Sequence, residues 1–175
     1  LKDALAHYVH PRPDGQFWQR FGDGKREWLH LCDTMGKPLR RYAWPLASDR
    51  LNHGIIFYSA DQTMWVNVAI EDPKRLRDYP HLVLYNWDAE SGQKEEYIYD
   101  QHSEIFLFGV VRGWLETKDC RIWMGMDEGG LFVFDPKSKK WTHFLHNNQD
   151  PHSISSNRIL SLALDPVEPD RFVWV

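Results

Sequence analysis

The sequence is short of several things. It has two cysteines in 175 residues, Cys32 and Cys120, too few for a disulfide framework, so its stability has to come from packing. Cys32 falls in an apolar run and reads as a small buried hydrophobe; Cys120 falls at a turn. A bridge between them is not expected, and the redox compartment is not legible. No uninterrupted apolar run approaches the ~18 residues of a membrane span. There is no excess of positive charge: the formal net charge is −4, with basic residues in short clusters such as Lys25-Arg26 and Arg40-Arg41. That balance gives no footprint for nucleic acid, which needs a basic surface. No Gly-x-Gly-x-x-Gly, Walker loop or ATP lid is present, so no cofactor is expected and no kinase chemistry lies in these residues. An initiator Met and a signal-like leader are also missing, and the last residues, Phe172-Val173-Trp174-Val175, fall inside an apolar run, as expected of a piece of a longer chain.

Large side chains, by contrast, are plentiful. Aromatic residues make up 14% of the chain, nine of them Trp, enough to build a core and to argue against disorder. They fall in short apolar runs separated by Gly, Asp, Pro and Ser clusters, the pattern of strands and turns. Four tryptophans share one spacing, each with an Asp four residues before it and an apolar neighbour directly before it: Asp14 with Trp18, Asp61 with Trp65, Asp119 with Trp123, and Asp170 with Trp174. Physically, the Asp carboxylate closes a tight turn and the Trp lands on the core face of the strand that follows. The interval is about 50 residues, one four-stranded propeller blade per repeat. Downstream, Leu131 to Asp135 followed by Trp141 and Phe144 repeats Leu29 to Asp33 followed by Leu39 and Tyr42, each with an Asp-x-x-Gly/Ser turn between two antiparallel strands. These patterns predict an all-β chain: a partial β-propeller of three four-stranded blades plus the start of a fourth, with repeat units at approximately 5–46, 54–100, 110–146 and 158–175. A β-sandwich of unrelated strands is the alternative, and it does not explain the fourfold spacing. Three blades cannot close a ring, so the isolated segment is expected to self-associate through open edges.

The stretch Arg121-Ile122-Trp123-Met124-Gly125-Met126, then Gly129-Gly130-Leu131, Asp135-Pro136, and Asp150-Pro151-His152-Ser153-Ile154-Ser155-Ser156-Asn157, resembles the two-component regulator propeller repeat. The resemblance runs from about Val110 to Val175 and is faint before that. Met126 stands where Thr is usual, Cys120 where Gly is common, and Asn67 where Gly is expected. The resemblance implies the extracytoplasmic sensor region of a bacterial hybrid two-component sensor histidine kinase, on the periplasmic or extracellular side of the inner membrane. It also implies oligosaccharide or another small ligand, the remaining blades of the parent chain, and a homodimer as partners.

No binding residue is assignable from the sequence. Tyr58, Trp87, Trp114, Tyr85 and Trp44 are sugar-stacking candidates by type alone. The interruption at 70–80 breaks the repeat in the second unit and is a candidate binding loop. His143 and His146 read as solvated side chains at a strand end, since period two sends them to opposite faces and away from a shared metal. The many Asp residues sit at turns, where capping explains them, so no catalytic pair is singled out and the segment is expected not to be an enzyme. Sensing without chemistry is the favoured reading. A secreted or periplasmic carbohydrate-binding or scaffold propeller is the alternative, and a polysaccharide-acting enzyme comes third.

Overall fold

The structure is a computed structural model that describes residues 5–12, 14–22, 26–44, 56–60, 63–68, 82–99 and 111–175. The interruption at 70–80 and Asp61 lie outside them. The described residues are all-β and contain no helix. Three four-stranded sheets follow one another in chain order. The first holds β1 (Leu5–Pro11), β2 (Phe17–Gly22), β3 (Glu27–Cys32) and β4 (Pro38–Ala43); the second holds β5 (Ile56–Tyr58), β6 (Met64–Val68), β7 (Leu82–Trp87) and β8 (Lys94–Tyr99). The third holds β9 (Val111–Glu116), β10 (Ile122–Met126), β11 (Gly130–Asp135) and β12 (Lys140–Phe144), and β13 (Ala163–Leu164) pairs with β14 (Val173–Trp174) in a two-stranded sheet. The pairings are antiparallel and join sequence neighbours, as short turns dictate. The chain divides into two compact units, Leu1–Arg77 with Leu84–Glu96, and Asp78–Val83 with Tyr97–Val175.

Burial follows a strand's place in its sheet. The third strands, β3, β7 and β11, are buried along nearly their whole length and read as continuous apolar runs, as strands covered on both faces must. The outer strand β12 alternates, and β4 is mostly exposed. At the end of each third strand, as its last residue or the one after it, stands an Asp that closes the next turn. Asp33 Oδ1 accepts the amides of Met35 (2.9 Å) and Lys37 (2.8 Å). Asp88 accepts the Glu90 amide and the Ser91 hydroxyl, and Asp135 accepts the Lys137 amide and the Ser138 hydroxyl. These side chains stand in for backbone acceptors at the hairpin tip.

In the first unit Trp18 is buried, meeting Tyr42 edge-on at 5.4 Å. Arg20 is buried too. Its charge is met by Glu27 and by the face of Trp44, 4.3 Å away. In the second unit Phe132 stacks on His143 at 3.9 Å and takes Tyr99 edge-on. The His143 ring bonds the Gly129 carbonyl (2.8 Å) and the Tyr99 hydroxyl (3.2 Å), and burial lowers its pKa. The expected solvated His143 is therefore corrected: its ring is a packing element, since β12 turns it inward over Phe132. His146 is likewise engaged, with the Ile154 carbonyl and the Asn148 side chain.

The segment after β12 is pinned at several points. His146 N–H donates to Asn157 Oδ1 (2.6 Å), Gly130 N–H to the Asn157 carbonyl (2.7 Å), and Ile159 N–H to the Met126 carbonyl (2.8 Å). Ser153 Oγ accepts the Asn147 amide and Asp150 Oδ1 the His152 amide. Residues 159–162 then cross β9 and β10 where Gly113 pairs with Gly125. A Cβ at Gly125 would sit 2.4 Å from Ile159 Cγ2, and one at Gly113 3.1 Å from the Leu162 nitrogen. The two glycines let the crossing segment approach β9 and β10 closely.

Candidate functional site

Among the described residues of the second unit, a cleft of about 430 Å³ lies between the β9–β10 turn and the β13–β14 turn. One wall carries Lys118, Asp119, Arg121 and Trp123; the other carries Asp170, Arg171 and Phe172. Local turn chemistry places each of these. Thr117 N–H bonds the Arg121 carbonyl across the first turn, with Cys120 in the left-handed region at φ 70°. Asp119 accepts the Thr117 hydroxyl and Arg121 Nε, both at 2.6 Å. The Arg121 bond first, and the Thr117 bond second, hold the Asp119 carboxyl down at about 2, so it is ionised at any physiological pH. Across the cleft Asp170 accepts Lys118 Nζ at 3.0 Å, an exposed pair that ties the two turns together. Arg171 bonds Glu168 and lies over Phe172 at 5.1 Å.

Each cation of the cleft thus faces a carboxylate. Such a surface favours no strong net charge in a ligand, and it presents both donors and acceptors beside aromatic rings. Exposed ion pairs of this kind are worth at most about 1 kcal/mol, so a ligand's hydroxyl groups could replace them at small cost.

The repeat positions fall as follows. The turn-closing backbone bond runs from Arg12 to Gln16, Ser59 to Thr63, and Thr117 to Arg121; in the last hairpin it runs from Asp165 to Phe172. Each repeat Trp lies two residues beyond the closing residue. Asp14 Oδ1 accepts the Gln16 amide at 3.1 Å, and Trp18 and Trp65 are buried. Trp123 is half-buried, its ring in the cleft wall. The last hairpin departs from the expected geometry because its loop is longer. There Asp165, not Asp170, accepts the turn amides of Val167 and Glu168, each at 2.8 Å. Trp174 donates its indole N–H to Asp165. Asp170 is thereby free to face Lys118.

Among the sugar-stacking candidates Tyr85, Trp87 and Trp44 are buried, with Trp44 edge-on to Trp87 at 6.3 Å. Tyr58 and Trp114 are half-buried. The structure gathers none of the five in the cleft. Sequence reasoning named Asp119, Trp123 and Asp170 as structural positions and passed over Lys118, Arg171 and Phe172. The longer fourth turn is a signal that could have found Arg171 and Phe172; Lys118 lies in the β9–β10 turn, where the sequence carries no such signal. Among the described residues no group of three or more His, Cys, Asp or Glu is placed to hold a metal.

No protein-family model matches the sequence, and no curated protein matches it. Solved structures do. The extracellular domain of BT4673 from B. thetaiotaomicron, assigned as a hybrid two-component system, matches with a TM-score of 0.59 at 14% identity, over 93% of this chain and 19% of that one. PorZ, a bacterial surface component of the type-IX secretion system of Porphyromonas gingivalis, matches with a TM-score of 0.54 at 12% identity, over 93% of this chain and 24% of that one. The Dos1 propeller matches with a TM-score of 0.50 at 14% identity, over 91% of this chain and 36% of that one. At these identities the likeness is one of fold, and the chain spans about a fifth of the BT4673 domain.

Proposed function

We propose that this chain is a ligand-sensing propeller segment of a bacterial two-component signal-transduction sensor, lying on the extracytoplasmic side of the membrane. On this reading the three four-stranded sheets are blades, and β13 with β14 begins a fourth. The segment itself performs no covalent chemistry: ligand binding biases a homodimer arrangement that a distant histidine kinase reads. One observation carries the proposal, the match of 93% of the chain to the extracellular domain of BT4673, together with a TM-score of 0.51 to that of BT3049, also assigned as a hybrid two-component system. The electrically balanced, aromatic-walled cleft supports an oligosaccharide as the ligand, since sugars combine flat apolar faces with many hydroxyl groups.

The test is a calorimetric titration of the protein with an oligosaccharide panel. Saturable binding of one family of neutral oligosaccharides, lost in Trp123→Ala, is the expected result. Binding that survives Trp123→Ala unchanged would remove the cleft from the account. A second reading, a surface-exposed scaffold propeller without a kinase, is favoured by the match to PorZ. It predicts a parent protein that shows no phosphohistidine when supplied with ATP.

A further inference from the structure

Three charged side chains converge at the end of β9 and β10 opposite the cleft. Asp127 follows β10 directly. Arg112, on β9, donates to its Oδ2 from Nε (3.2 Å) and Nη2 (2.8 Å), while Arg158, in the crossing segment, donates from Nε to Oδ1 (2.9 Å). One carboxylate cancels one of the two charges, so the cluster keeps a net positive charge. Asp127 stays ionised, its pKa lowered by Arg112 first.

The two guanidiniums are held and yet open. Arg112 rises from a paired strand. Arg158 stands between Asn157 and Ile159, whose backbones are bonded to Gly130 and Met126. Asp127 fixes the Nε edge of both heads and is itself largely covered, whereas the arginine side chains are 49% and 64% exposed. Among the described residues, Nη1 of Arg112 and both Nη atoms of Arg158 have no partner. A clamp serving only to fix the crossing segment would need one arginine, and that segment is already fastened by Asn157 and Ile159.

We propose that Arg112 and Arg158, oriented by Asp127, form a binding site for an oxyanion: the carboxylate, sulfate or phosphate group of a small ligand. Planar guanidinium forks match such groups in geometry, and fixing them beforehand removes most of the ordering cost of capture. The site is separate from the cleft and does not rest on the reading of the chain as a sensor. Of the neighbouring carboxylates, Glu128 follows Asp127 in the turn and is exposed.

The test is a titration of the protein with inorganic sulfate at constant ionic strength, following the guanidinium Nε–H resonances of Arg112 and Arg158 by NMR. Both should shift together and saturate in the millimolar range. Arg158→Gln should weaken binding at least about tenfold, the loss of one charge-assisted fork. Arg158→Lys keeps the charge without the fork and should fall between the two. Because Arg158 is exposed, either variant should unfold at the parent temperature, and Arg112→Gln gives an independent check. Shifts that stay linear in sulfate and are reproduced by chloride would mean an adventitious ion only, and would overturn the proposal. Unchanged affinity in Arg158→Gln would overturn it as well.

Discussion

Replacing Gly125 by Ala probes the close contact between β10 and the crossing segment. The new methyl group would lie 2.4 Å from Ile159 Cγ2 and 3.0 Å from its Cβ, and a β-branched side chain has little rotamer freedom with which to retreat. Ile159 is itself buried, and its amide is bonded to the Met126 carbonyl. The crossing segment must therefore lift. Overpacking alone costs about 1–3 kcal/mol; full undocking would forfeit the burial of one Ile, about 1.5–3 kcal/mol, and one hydrogen bond, about 1 kcal/mol. We expect a loss of about 2–4 kcal/mol in the local docking of residues 159–162. Amide exchange at Ile159 reads this directly, and it should accelerate by two orders of magnitude or so. Ile159→Ala removes the clashing Cγ2, so Gly125→Ala combined with Ile159→Ala should cost about 1 kcal/mol less than the sum of the single changes. If Gly125→Ala leaves Ile159 exchange and the unfolding midpoint unchanged, the close-approach argument is wrong.

Two further expectations concern pH and exposure. His10 is half-buried, and desolvation first, the Arg20 charge second, push its pKa from 6.5 down to about 4. The unfolded chain then binds the proton more readily than the folded one. Stability is fully present above about pH 6.5 and falls as pH drops from there toward 4, by up to roughly 3 kcal/mol in all; urea midpoints across that window should flatten in His10→Gln. Cys120 is exposed and Cys32 is buried, both with free thiols. A maleimide that passes the outer membrane but not the inner one should label intact cells at Cys120, and the labelling should disappear in Cys120→Ser; labelling only after the inner membrane is broken would contradict an extracytoplasmic location.

Much of the sheet architecture was legible because strand and turn chemistry are local. Apolar runs closed by Asp33, Asp88 and Asp135 mark where hairpins turn, and those carboxylates do the turning. The Asp-to-Trp spacing carries information only while the hairpin length is constant; with three more residues between Asp165 and Phe172, Asp165 takes the capping place that the spacing gave to Asp170. His143 could not be read, because its inward direction depends on the register of β12 against Phe132. The cleft and the Arg112–Asp127–Arg158 cluster were invisible for a related reason. Each joins side chains from separate turns, and nothing in the local sequence around Lys118 or Arg112 announces the partner. The pairing of Gly113 with Gly125 is similarly non-local, a contact that only the crossing segment explains.

The central claim, a sensing segment coupled to a kinase, is tested most directly by ATP-dependent phosphorylation of the intact protein in native membranes, with and without the oligosaccharide panel. The account predicts a phosphohistidine whose level changes with one oligosaccharide family, a change abolished by Trp123→Ala while basal phosphorylation persists. A protein that carries no phosphohistidine under any of these conditions would contradict it.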